Sequence, residues 1–195
     1  MAFTLTFEVP SSVSKIFLLI GGNQFHDWTA LNDTIMGGSS NANCIYTNDG
    51  ISLEGELVED GGGFVSCRSP VLNNPFNLSS YQGFLLEVEG RGRTLKFAVA
   101  CKKRNLSLSG MFTENLRWVS SVPTKKDGLT RVLIPFQQLE PTIRAKAVRL
   151  PLKFDPSCVN QFQILHSKFG QPGKMNPGFK PGSIKIFIRS ISAYS

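Results

Sequence analysis

The stretch "GFLLEVEGRGRTLKFAVACKK", Gly83 to Lys103, decides the class of fold. Phe84, Leu86 and Val88 alternate with Leu85, Glu87 and Glu89. Beyond "GRGR" (Gly90 to Arg93), Leu95, Phe97, Val99 and Cys101 alternate with Thr94, Lys96, Ala98 and Ala100. A period of two is that of half-buried strands, and a short Gly-containing link between them predicts a β-hairpin. The same signature recurs along the chain. "SIKIFIRSISAYS" sets Ile184, Ile186 and Ile188 against Lys185, Phe187 and Arg189, and "LTRVLIPF", "GISLEGELV", "GGFVSCRS", "NLRWVSSV" and "QFQILHS" read as further strands. No amphipathic helix longer than ten residues competes with them. The pattern predicts an all-β protein, a jelly-roll β-sandwich forming one domain over 1–195, with one or two short helical turns at "SSVSKIFLLI" or "PFQQLEP". "FGQPGKMNPGFKPGS", Phe169 to Ser183, is expected as a surface excursion between strands.

A chain of 195 residues, 41% apolar and 18% charged, suffices for one substantial core, burying on the order of 70% of its unfolded surface. The longest apolar run, "IFLLI", is far below the roughly 20 residues that cross a bilayer. It has neither the basic flank nor the cleavage site of a signal peptide, and no transit peptide is evident, so a cytoplasmic or stromal location is expected, peripheral membrane association included. Cys44, Cys67, Cys101 and Cys158 are widely spaced without a C-x-x-C pair and are expected as reduced, buried thiols. The net charge is +7, but it is unevenly distributed. Residues 1–90 carry two bases against ten acids, and residues 91–195 nineteen against four. A positive face suited to an anionic partner follows if the fold keeps these segments apart, and a mixed surface if their strands interleave.

Chemistry finds little support. The two histidines, His26 and His166, lack a nucleophile motif such as G-x-S-x-G, and Asp27 and Asp33 lack the spacing of a calcium loop. "IFLLIGGNQF", "GRGR" and "EDGGGFVS" each fail the dinucleotide or P-loop pattern. No enzyme activity, cofactor or metal is expected. Lys102, Lys103, Arg104, Lys125, Lys126, Arg144, Lys146 and Arg149, with Phe97, Phe112 and Trp118 nearby, leave an RNA-binding biogenesis factor as one alternative. A carbohydrate-binding module, with Trp118 beside Asn115 and Glu114, is another.

"WTALNDTIMGGSSN", Trp28 to Asn41, has the residues of a packed crossover. Asn32 and Asp33 favour a turn, Gly37 and Gly38 permit unusual backbone or close approach, and Trp28 and Met36 are expected to fill the core around it. Gly61, Gly62 and Gly63 before Phe64 suggest a turn or bulge beside a strand. Arg68, nearly alone among acids, is a candidate partner for Asp33 or Glu87. A direct partner-binding role for the crossover is the competing expectation.

In order along the chain, "WTALNDTIMGGSS", "GGGFVSCRS", "YQGFLLEVEGRGRTLKFAV", "RWVSSVPTKKDGLTRVLIPFQQLEP" and "SIKIFIRSISAY" resemble the complex I intermediate-associated protein 30 family over about residues 25–194. Trp28, Asn32, Asp33, Met36, Gly37, Gly38, Ser39, Gly62, Gly63 and Phe64 carry the resemblance. It implies a galactose-binding-domain-like jelly roll and a non-catalytic assembly role, with protein subunits of a respiratory or photosynthetic energy-converting complex as partners. It also implies a stand-alone member from a photosynthetic bacterium or plastid. The family usually has Gly-Asp-Gly-Arg where this chain has Gly90-Arg91-Gly92-Arg93. Arg93 is retained, whereas a carboxylate-dependent role at position 91 does not transfer.

Overall fold

A computed structural model describes residues 13–101, 116–143, 146–148, 150–170 and 174–195. Among the described residues thirteen strands run in order: Ile16–Gly21 (β1), Thr29–Asn32 (β2), Asn41–Thr47 (β3), Gly50–Leu57 (β4), Phe64–Arg68 (β5), Gly83–Glu89 (β6), Thr94–Cys101 (β7), Leu116–Pro123 (β8), Thr130–Pro135 (β9), Glu140–Ile143 (β10), Lys146–Ala147 (β11), Val159–Ser167 (β12) and Gly182–Tyr194 (β13). They form two antiparallel sheets. The first has the order β3-β4-β13-β6-β9, with β1 also on β13, and the second β11-β10-β8-β7-β12-β5-β2. Helical structure among the described residues consists of 3-10 segments of three or four residues. The fold is the expected β-sandwich.

The expected hairpin is not formed. β6 pairs with β13 and β9 in one sheet, and β7 pairs with β8 and β12 in the other, so "GRGR" is an arch between sheets. Both apolar sets then face one core: Phe84 of β6 and Phe97 of β7 meet edge to face with centroids 5.2 Å apart. Alternation dictates one buried face per strand, and opposed sheets satisfy it as well as a paired hairpin does. Phe162, Phe136 and Phe154 extend this aromatic centre, and Trp118 packs on Phe154. Each fully buried side chain of this size contributes about 1.5–3 kcal/mol through removal from water.

Two further expectations change. "SSVSKIFLLI" supplies β1, because Ile16–Gly21 pairs with the end of β13. In β13 itself the register shifts between Ile188 and Ser190. This irregularity moves the inward set from Ile184, Ile186 and Ile188 to Ile191 and Ala193, all of which are buried. The second correction concerns the thiols: Cys44 on β3 and Cys67 on β5 form a disulfide joining the two sheets, while Cys101 and Cys158 take no part in a disulfide. The pair is only 23 residues apart in sequence, but it is the sandwich that brings the two cysteines face to face, which spacing alone does not reveal.

The stretch after β12 is the expected excursion, and it is fastened down. Asn176 Nδ2 donates to the carbonyls of Thr94 and Ser167, both at 2.9 Å, and Phe179 stacks on His166.

Candidate functional site

The crossover at Trp28–Asn41 leads from β2 in one sheet to β3 in the other, and its centre is Asp33. This carboxylate is fully buried. Its Oδ1 accepts from Ser40 N at 2.9 Å, and its Oδ2 accepts from Ser40 Oγ at 2.7 Å, Gly63 N at 2.6 Å and Phe64 N at 3.2 Å. Burial alone would raise its pKa, but these donors together hold it below the usual carboxylate value. A Cβ added to Gly38 would fall 2.4 Å from the carboxyl carbon, and one added to Gly62 would fall 2.3 Å from Oδ2. Both glycines are therefore required by close approach. Gly37 closes the 3-10 turn in the left-handed region at φ 88°. With N–H and O–H donors directed at both oxygens, the site is built around an anion rather than a cation.

The remaining motif residues divide between core and surface. Trp28 is buried against Phe25, and Asn32 Nδ2 donates to the Ala42 carbonyl at 2.9 Å. Met36 is 64% exposed and does not fill the core as expected. Ser39 is exposed, and its neighbour Ser40, which sequence reasoning passed over, is the residue that binds Asp33. Arg68 pairs with neither expected acid. Asp33 is enclosed by its donors, and Glu87 is held by Arg131 Nε and Ser190 Oγ, both at 2.8 Å. Instead the Arg68 charge lies near Arg117, whose pKa is lowered first by burial and then by that charge. Trp118 is a core residue, 5% exposed, and offers no platform for a sugar ring.

Charge mixes in one sheet and accumulates at one end of the other. Strands from both halves of the chain interleave, and in the first sheet Lys185 meets Glu54 at 2.8 Å and Arg131 meets Glu87. The β6–β7 arch behaves differently. Arg91 turns at φ 54°, and Gly92 N donates to the Lys125 carbonyl at 2.7 Å. Thr124 donates to the Arg93 carbonyl through both its backbone N–H (3.1 Å) and its Oγ1 (2.7 Å). These bonds set the exposed Lys125 and Lys126 beside the arch. A Cβ on Gly92 would lie 3.5 Å from Lys180 Nζ, so the excursion brings in another cation. Arg93 is buried, with Nη2 donating to the Ser183 carbonyl at 2.9 Å, and burial followed by the charge of Arg91 lowers its pKa. Lys146 is exposed on β11, away from this group in sheet order. Lys102, Lys103, Arg104, Arg144 and Arg149 lie outside the described residues.

A cavity of about 280 Å³ opens on the same end, lined by Thr94, Lys96, Ser121, Gly170, Lys174, Met175, Asn176 and Pro177. Lys96 and Ser121 are cross-strand partners on the outward face of β7 and β8. Lys96 Nζ donates to the Gly170 carbonyl at 2.8 Å, which joins strand to loop. The lining includes two lysines and no carboxylate. The outward alternation of Lys96 was visible in the sequence, but its enclosure depends on the loop after β12. Among the described residues no group of His, Cys, Asp and Glu has the arrangement of a metal site, and no helix is long and apolar enough to cross a membrane.

The sequence profile of the complex I intermediate-associated protein 30 family matches residues 17–188. The chain belongs to this family. In this member of the complex I intermediate-associated protein 30 family, the Asp33 crossover and the β6–β7 arch both lie within the matched span. No curated protein sequence matches the chain. Among solved structures, it is similar to the family 11 carbohydrate-binding module from Clostridium thermocellum in complex with a β-1,3-1,4-mixed-linked tetrasaccharide (TM-score 0.62, 14% identity, 91% of this chain and 94% of that one). It is also similar to the family 11 module of the cellulosomal cellulase Lic26A-Cel5E of the same organism (TM-score 0.57, 13% identity, 86% of each). A third likeness is to the agarase AgWH50C (TM-score 0.55, 6% identity), with 92% of this chain matching 24% of that one. At these identities the likeness concerns the fold.

Proposed function

We propose that this protein is a non-catalytic assembly factor that binds subunits of a membrane-associated, complex I-type or photosynthetic energy-converting complex. Family membership over residues 17–188 is the observation that carries this reading. The basic arch end, where Arg91, Lys125, Lys126 and Lys180 stand together, supplies an electrostatic surface for an acidic subunit. Charge of this kind steers encounter and sets partner choice more than it adds affinity. A glycan-binding role has less support, because Trp118, its candidate platform, lies in the core.

The test is affinity capture of the tagged full chain from membrane and soluble fractions across a salt series. Subunits or assembly intermediates of one such complex are expected at low ionic strength, with recovery falling as salt rises. The Lys125→Glu/Lys126→Glu variant, which changes only exposed side chains, should fold normally and recover several-fold less. Recovery of no such subunit from either fraction would overturn the reading.

A further inference from the structure

We propose that the cavity at Lys96 is a binding site for a single oxyanion group, a carboxylate or a phosphate, with Lys96 as its central ligand and Lys174 as a second charge at the rim. The inference holds whichever complex the protein serves. An ammonium group has three donors. Among the described residues Lys96 spends one of them, on the Gly170 carbonyl. The hydroxyls of Thr94 and Ser121, which line the same space, donate no hydrogen bond among the described residues. The site thus holds unspent donors from β7, β8 and the loop after β12, all within one cavity.

The charge arrangement points the same way. Two other strand cations, Lys185 and Arg131, are held by the carboxylates of Glu54 and Glu87. Lys96 forms no ion pair among the described residues, and burial lowers its pKa with no compensating acid. A partly buried ammonium without a counter-charge is costly, and an oxyanion received from outside supplies both the charge and the missing acceptors. The volume, about 280 Å³, accommodates such a group with several waters at roughly 30 Å³ each. Met175 and Pro177 give the cavity an apolar side, suited to the carbon skeleton that carries a carboxylate or phosphate ester. A lysine placed only to anchor the loop through Gly170 would need neither the second lysine nor the open volume.

The experiment is amide NMR of the uniformly ¹⁵N-labelled full chain, titrated separately with inorganic phosphate and with acetate at ionic strength held constant by sodium chloride. Saturable shifts are expected at Thr94, Lys96, Ser121, Lys174 and Asn176. Saturation by phosphate alone assigns a phosphate site, saturation by acetate alone a carboxylate site, and either supports the proposal. Lys96→Met should weaken binding about 10- to 100-fold, the loss of one charge-assisted hydrogen bond, and Lys174→Gln about threefold. Shifts that grow linearly with both anions would overturn the proposal, as would a folded Lys96→Met protein that titrates like the parent. Should Lys96→Met fail to give a folded spectrum, Lys174→Gln and Ser121→Ala decide: an unchanged midpoint in both is the overturning result.

Discussion

At Asp33 a full negative charge is buried beneath four donors, so the residue is a structural anion whose loss leaves several polar groups unsatisfied. Asp33→Asn removes the charge and turns an amide N–H₂ toward groups that are themselves donors. It should cost about 3 kcal/mol or more in urea denaturation. Gly62→Ala should cost a similar amount, since its Cβ would occupy the space of the carboxylate. A normally stable Asp33→Asn protein that no longer captures partners would instead make the crossover an interface. Because the folded pKa of Asp33 is depressed, its contribution is present above the unfolded value near 3.8 and is lost as pH falls through the folded one. His166 loses stability in the same direction, on acidification, but for a different reason: here it is the neutral form that the fold favours. Its Nδ1 donates to the Thr94 carbonyl at 3.1 Å and its Nε2 accepts from Lys180 N at 3.4 Å, so the neutral ring is the form that fits. Burial first, then the charges of Arg93 and Lys180, push its pKa down to about 4. Stability from this group is full above pH 6.5 and is lost between 6.5 and about 4, amounting to about 3 kcal/mol. Urea titrations across that window should show the loss in the parent and a much flatter profile in His166→Gln.

The elements that matter most are the connections between sheets. The β2–β3 crossover, the β6–β7 arch and the Cys44–Cys67 disulfide each join the two layers. A disulfide closing a loop of this length stabilises by about 3 kcal/mol through the entropy of the unfolded chain. The Cys44→Ser/Cys67→Ser double variant should therefore unfold at a lower temperature by several degrees, and intact mass of the purified parent should be two hydrogens below that of the fully reduced chain. Equal melting temperatures for parent and double variant would remove the bridge from the account of stability. Strand identity was legible from alternation alone, as in β6, β7 and β13. Partnership was not, because alternation reports which face is buried and not which strand lies alongside. The expected hairpin failed there, and β1 escaped notice because its apolar run lacks clean alternation.

At the scale of the whole molecule, the division of the sequence into an acidic and a basic half does not become two faces among the described residues. Interleaved strands pair Lys185 with Glu54 and Arg131 with Glu87 across the first sheet, and Arg91, Lys125, Lys126 and Lys180 gather at the arch end, where β7, the β8–β9 turn and the long excursion converge. Reversing Lys125 and Lys126 tests that surface as a whole. Its capture defect should shrink as salt rises and the parent's own recovery declines, since screening removes the interaction that the variant lacks.

By itself the sequence determined the all-β class, the inward set of most strands and the family, and it singled out Asp33 with its glycines. Each of these is written in residue type and short-range spacing. Only the tertiary structure decided that Asp33 is enclosed by Ser40, Gly63 and Phe64, that Cys44 meets Cys67, that Arg68 lies near Arg117 rather than an acid, and that Lys96 lies in a cavity. These contacts join residues from separate strands and loops, and neither periodicity nor composition encodes the distance between them until the two sheets close on one core.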